Sequence, residues 1–464
     1  MNPMFKLAFI GAGSIVFAKR LIRDILSHEK LRKNGMLISL EDIDKHRLDL
    51  MYKYFQKYKD DNAKELENVQ FDATTDQRKS IADAKYVISA IQVGGLDAYK
   101  LDLEIPLKYG VSQCVGDSMG PGGMFRGLRS MVAFESIIKD MREVGYNAGV
   151  KGGARPLFLN YTNPMATNTW FCNVMWPGST VGLCHGVQGT SDQLRMYIGA
   201  APDEFSFLCA GINHMAWFLE IWFKDYTAKD AKWQDAYPII WEHFKEEPGM
   251  IGGEKVRWDM MKATGYYMTE SSGHLSEYLP YYRKRKDLLE KYRGAKQGFD
   301  SLEHASYYTS NVASANKLDD TFEKELAMAR IPLDLHASSE YGSRIINAIE
   351  TNQPFRFNGN VMNVKGSLIT NLPADCCVEV PVFADYHGLH PQGGIELPTA
   401  CQALCISNIM VQKATVEGFI AKDKEKIYQA ILLDPNTASV CSPEEIRSMV
   451  DELFKAEAKW LPGF

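Results

Sequence analysis

Residues 9–26 read FIGAGSIVFAKRLIRDIL, an apolar run that turns through Gly-x-Gly and continues with apolar residues at helical spacing. KLAFIGA (6–12) is predicted as a short buried strand. SIVFAKRLIRDILSH (14–28) is predicted as a helix, because Ile15, Val16, Leu21, Ile22, Ile25 and Leu26 largely recur on one face. Gly11 and Gly13 hold the first two positions of the dinucleotide fingerprint, where they permit a tight turn and a close approach of backbone to a pyrophosphate at a helix N-terminus. Val16 takes the third glycine position, and a lone Gly-x-Gly also serves as a plain structural turn. The setting favours the nucleotide: the loop follows a strand, opens a helix, and is followed by a second strand, MLISLEDI (36–43), that ends near Asp42. An acid there accepts from a ribose hydroxyl pair and favours NAD over NADP. Gly11, Gly13, Ser14 and Asp42 are the expected cofactor-binding residues.

Outward from that unit the pattern repeats. A polar-faced helical stretch begins at Lys45, VQFDATT (69–75) follows, then a helical link and the apolar run YVISAIQVGG (86–95). LFLNYTN (157–163) and STVGLCHG (179–186) read as two further strands, with Asn163 and Pro164 expected as N-cap and first residue of the next helix. The alternation predicts an α/β fold: a Rossmann-type, doubly wound parallel sheet. From about Phe205 the alternation gives way to strand-like FSFLCAGINHMAWFLEIWF and then long helical stretches. A second, mixed α+β part that covers the substrate is expected there. The division is placed at 1–204 for the cofactor domain and 205–464 for the substrate, metal-site and oligomerisation domain.

Composition limits the alternatives. The 464 residues are 45% hydrophobic and 24% charged, as in an ordinary globular protein. A formal charge of −6 without a basic block argues against nucleic acid or anionic membrane as partners. The start, MNPMFKLAFIGAG, lacks a basic n-region, an apolar h-region and a cleavage site, so a cytoplasmic location is expected. Nine scattered cysteines without a CxxC pair argue against a disulfide framework or a structural zinc site. Residues 156–191 carry no Asp, Glu, Lys or Arg, yet their Asn, Thr, Gly and Pro exclude a membrane span. They read as buried structure lining a cleft.

That stretch contains GLCHGVQGT (182–190). Alone, Cys184 beside His185 is a packed thiol and a satisfied histidine. Thirty positions on, GINHMAWF (211–218) supplies His214 in another uncharged, strand-like context. A thiolate and an imidazole make half a shell for a divalent transition metal, with water or substrate oxygens completing it. VGDSMGPGGMFRGLR (115–129) presents Asp117 before a glycine-rich helix start, either as loop and cap or as a catalytic part. Asn163 either starts a helix or meets a sugar hydroxyl. TESSGHLSEYLPYY (269–282) crowds Glu270, His274, Glu277 and Tyr278 together, each of which singly reads as packing.

In combination these pieces resemble glycoside hydrolase family 4, the NAD- and metal-dependent glycosidases, and within it the melibiase-type α-galactosidases. FIGAGS, GDSMGPGG, NYTNPMA, GLCHGVQGT and GINHMAWF stand in that family's order, and the likeness runs on through TESSGHLSEYLPYY, NLPADCCVEV and the terminal WLPG. The resemblance implies the superfold of lactate and malate dehydrogenases, NAD and manganese or a similar divalent ion, and hydrolysis of α-galactosides without net redox change. NAD takes a hydride from C3 of the sugar, a base removes the acidified C2 proton, the aglycone is eliminated, water adds, and the hydride returns. It implies Cys184 and His214 as metal ligands, Asn163 as a substrate-binding residue, and His185 as the general acid. His274 is assigned as the base, and Asp117 is counted with the catalytic residues. A homodimer or homotetramer is implied. Alternatives are the same chemistry on α-glucosides or α-galacturonides, a 2-hydroxy-acid dehydrogenase, and a noncatalytic NAD-sensing module.

Overall fold

The computed structural model of the protein describes residues 5–14, 17–226, 231–246, 254–293 and 302–464. Six parallel strands form the first half: β1 (Phe5–Ile10), β2 (Met36–Glu41), β3 (Val69–Thr74), β4 (Tyr86–Ser89), β5 (Leu157–Asn160) and β6 (Thr180–Gly182). Their spatial order is β3-β2-β1-β4-β5-β6, the dinucleotide-binding order with its switch between β1 and β4. Five of the six residues of β1 are buried and it pairs on both sides, which is why it reads as a continuous apolar run rather than an alternating one.

The helix after the glycine loop spans Phe17–Ser27 and buries Ala18, Leu21, Ile22, Ile25 and Leu26, the helical spacing read in the sequence. Ile15 and Val16 lie outside the described residues. The next helix, Lys45–Asp61, starts at Asp44, whose carboxylate accepts from His46 N and Arg47 N.

The sheet does not stop at β6. Antiparallel strands extend it: β7 (Phe205–Ile212), β8 (Met215–Lys224), β9 (Trp233–Asp235), β10 (Tyr267–Met268), β11 (Phe355–Met362), β12 (Cys377–Asp385) and β13 (Gly388–Pro391). β11 joins β6, and the path continues β12-β7-β8-β10, giving 13 strands in one sheet. The expected mixed second part is thus continuous with the first. Its helices also fold back: Phe419 of helix Thr399–Ala421 meets Phe171, and Phe454 of helix Pro443–Glu457 meets Phe125.

Two readings of the sequence are corrected. FSFLCAGINHMAWFLEIWF is not one strand; Ile212 pairs with Met215, so Asn213 and His214 form a two-residue hairpin turn between β7 and β8. The Asn-Gly that usually announces such a turn is missing. Asn163 is not an N-cap either. Pro164 sits at the cap of helix Met165–Met175 after a cis Asn163–Pro164 peptide bond, and Asn163 turns its amide to Asp117 instead. Among the described residues no helix is long and apolar enough to cross a membrane.

Candidate active site

Strand ends and turns deliver the polar groups. Cys184 follows the end of β6 and precedes helix Gly186–Ile198. His214 sits at the β7–β8 turn with φ of 64°, a left-handed conformation that a side chain bearing a Cβ rarely adopts. Glu270 lies just beyond β10, and His274 lies in the short helix Ser272–Leu275. Asp117 stands before helix Gly120–Val144, and Asn163 stands after β5.

These residues converge. Cys184 Sγ lies 3.4 Å from His214 Nε2, and Glu270 Oε2 lies 3.5 Å from the same nitrogen. His214 Nδ1 faces the Tyr278 hydroxyl at 2.7 Å. His274 has a carboxylate at each ring nitrogen: Glu270 Oε1 is 3.5 Å from Nδ1 and Asp117 Oδ1 is 3.5 Å from Nε2. Asp117 in turn accepts from Asn163 Nδ2 at 2.8 Å and Ser118 Oγ at 2.7 Å. The structure therefore brings Cys184, His214, Asn163, Asp117 and His274 into one network.

Glu270 is the member that the sequence named but read only as packing. It bridges His214 to His274, and the ligand atoms of His214, Glu270 and His274 all lie within 4.8 Å of one another. Its only sequence signal was its place four residues before His274 in a crowded polar stretch.

The buried groups perturb one another. Burial pushes His214 down to about 4, with the charge of Glu270 opposing, so its ring is neutral at pH 7. Burial, with the charges of Glu379 and Glu270 nearby, pushes the Cys184 thiol well up. Burial works against the carboxylates of Asp117 and Glu270, yet the facing histidines outweigh it and hold both well below the usual range. Burial disfavours a charged His274, but Glu270 and Asp117 overcome it and hold the imidazolium. Glu379 of β12 is pushed up to about 8 by burial and is neutral at pH 7.

This donor set fits a divalent cation. Ligands about 2.1–2.3 Å from one ion sit roughly 3–3.6 Å apart in octahedral or tetrahedral shells, and the Sγ–Nε2 and Nε2–Oε2 separations match that. When His214 Nδ1 donates to the Tyr278 oxygen, Nε2 keeps a free lone pair toward Cys184. A thiol that burial keeps protonated loses its proton to such a cation.

The glycine loop fits a dinucleotide. Gly11 has φ of 86°, and a Cβ there would lie 2.8 Å from Ile91 Cγ2, so only glycine serves. Gly13 N donates to Asp42 Oδ2 at 2.7 Å, and Asp44 N donates to Asp42 Oδ1 at 2.8 Å. Each carboxylate oxygen keeps a second lone pair for a ribose hydroxyl. Ser14 closes the turn through its N–H to Gly11 O at 3.2 Å.

His185 stands apart from the buried cluster. Its side chain is 62% exposed, and Nδ1 lies 3.3 Å from Glu340 Oε1, a bond that raises its pKa. All nine cysteines are free, and eight are buried; Cys184 alone is half-buried.

Comparison with known proteins agrees along the whole chain. Residues 6–200 match the family 4 glycosyl hydrolase model and residues 209–437 match the family 4 glycosyl hydrolase C-terminal domain. An α-galactosidase of Rhizobium meliloti is 40% identical over 462 residues, covering 99% of this chain and 90% of its own. An α-galactosidase of Bacillus subtilis is 39% identical over 469 residues, covering 99% and 100%. A solved 6-phospho-α-glucosidase from gut microorganisms, in complex with NAD and Mn2+, shares the fold with a TM-score of 0.78 at 19% identity, covering 99% of each chain. With both family models matched over nearly its full length, this chain belongs to glycosyl hydrolase family 4.

Proposed function

We propose that the protein is an NAD- and divalent-metal-dependent α-galactosidase. The observation that carries the reading is the Cys184–His214 pair, 3.4 Å apart, at the sheet edge where the glycine loop also opens. A dehydrogenase acting on 2-hydroxy acids has no use for that thiol. The 40% identity to an α-galactosidase supports the sugar.

When bound, NAD supplies a hydride acceptor for C3, and a cation such as Mn2+ supplies a Lewis acid and positive charge that disfavours both the Cys184 thiol and the His274 imidazolium. Cys184 and His214 hold the cation, with Glu270 behind them. Gly11, Gly13, Ser14 and Asp42 hold the dinucleotide. Asn163 presents its amide to the sugar while fixing Asp117. His274 takes the C2 proton, and the carboxylates of Asp117 and Glu270, one at each ring nitrogen, stabilise the imidazolium that results. His185, exposed at the site mouth and oriented by Glu340, donates a proton to the leaving aglycone.

Residues 1–204 form the cofactor domain in this reading, and 205–464 bring His214, Glu270 and His274. A cytoplasmic homodimer or homotetramer completes it, which light scattering would test.

A panel of nitrophenyl glycosides with NAD, Mn2+ and a thiol tests the substrate. Preferred release from the α-galactoside, lost on exhaustive chelation, is expected. Stoichiometric NADH with a 2-hydroxy acid and no glycoside cleavage would overturn it.

A further inference from the structure

Asp117 reaches the network on the loop 113–118, and what holds that loop is a carboxylate from the other half of the chain. Glu277 is completely buried. Its Oε1 accepts from Cys114 N at 2.6 Å and Val115 N at 2.7 Å, and its Oε2 accepts from Gly116 N at 2.9 Å and Gln113 Nε2 at 3.1 Å. Three consecutive backbone N–H groups thus converge on one anion, the concave arrangement that successive amides form around a negative charge. Gly116 makes the turn possible, with φ of 63° and a Cβ position only 2.7 Å from Leu103 Cδ2. Among the described residues no cation is in ion-pair contact with Glu277, so these four donors replace its hydration.

Glu277 is also three residues after His274 and next to Tyr278, whose hydroxyl faces both His214 and His274. Arg283 adds a parallel tie, from Nη1 to Ser276 Oγ at 3.0 Å and from Nη2 to Ser112 Oγ at 2.9 Å. One short segment therefore carries a histidine of the site and, through Glu277, fixes the loop that bears the carboxylate opposite it.

The geometry points to Glu277 as a positioning residue of the reaction: it sets Asp117 against His274 and Asn163, and so aligns groups contributed by the two halves of the chain. This rests on the reading of Asp117 as part of the proton-handling machinery. A carboxylate that merely stabilised the fold would affect every step alike. One that acts through Asp117 matters only while Asp117 can work.

A double-mutant cycle on the full-length, NAD- and Mn2+-loaded enzyme decides this. Glu277→Gln is expected to lower kcat with a nitrophenyl α-galactoside by about 10- to 100-fold, as misplacement of a reacting group by about 1 Å does, with KM little changed. In an Asp117→Asn background the same substitution is expected to cost less than about threefold, since the group it positions is already disabled. Equal losses in both backgrounds would overturn the proposal and assign Glu277 to stability alone. An Asp117→Asn enzyme with unaltered kcat would instead overturn the reading of Asp117, and the proposal with it. If Glu277→Gln does not fold, Gln113→Met removes the fourth donor, together with its bond to Met119 O, and leaves the three backbone donors in place; the cycle is repeated with the same criterion and a smaller expected effect.

Discussion

Cys184 Sγ meets His214 Nε2 at 3.4 Å although thirty residues separate them, because β6 and the β7–β8 hairpin turn end at one place in a continuous sheet. Replacing the thiol by a hydroxyl should leave the fold intact, since Cys184 is half-buried, and weaken the cation site. Cys184→Ser is expected to raise the Mn2+ dissociation constant by 100-fold or more, beyond the 10–100-fold typical of losing an outer partner. Titration of Mn2+ followed by electron paramagnetic resonance reads this directly.

Glu270 bridges the two histidines, and its isosteric amide cannot serve both. Glu270→Gln is expected to cut kcat by roughly 100-fold or more, and to weaken Mn2+ binding as well. An enzyme with unchanged kcat and unchanged metal affinity would remove Glu270 from the site.

Arg129 is fully buried between Asp102 and Glu457. Burial and the charge of Asp102 hold Glu457 well above the usual carboxylate range. Arg129→Met should therefore destabilise by about 3–5 kcal/mol, as loss of one partner from a buried ion pair does. Glu457→Gln should cost less than Asp102→Asn, since Asp102 accepts from both guanidinium Nη atoms and Glu457 from one. Urea unfolding at pH 7 ranks the three.

The strands, the glycine loop and Asp42 were legible in the sequence because parallel strands buried on both faces are unbroken apolar runs, and β1 and β2 are such runs. Cys184, His214, Asn163, Asp117 and His274 were each nameable but not assembled by spacing. They meet because β6, β5 and the β7–β8 turn converge, a long-range fact that local pattern does not carry. Glu270 and Glu277 read only as packing for a related reason: what each does depends on a partner at least 50 residues away in sequence, as His214 is for Glu270 and Cys114 for Glu277. The turn at Asn213–His214 escaped because a histidine with positive φ leaves no compositional trace.

Glu41, at the end of β2, gives a pH dependence with a definite sign. Burial, with the charge of Asp42 beside it, pushes its carboxyl from 4.5 up to about 7. Below pH 4.5 folded and unfolded chains both hold the proton, and its contribution to stability is fully present. As pH rises toward 7 the unfolded chain has released that proton and the folded one has not, so stability falls until pH passes about 7. The loss is at most about 3 kcal/mol. Glu41→Gln should flatten this part of the profile, measured by urea unfolding of the cofactor-free protein from pH 5 to 7.5.

In the proposed mechanism the bond to the aglycone breaks only after a proton has left C2 of the sugar. Hydrolysis of a nitrophenyl α-galactoside in heavy water, with NAD and Mn2+ present, decides this by mass spectrometry and proton NMR of the product. Galactose carrying deuterium at C2 is the predicted result. Rapid release of galactose with C2 unlabelled would contradict it.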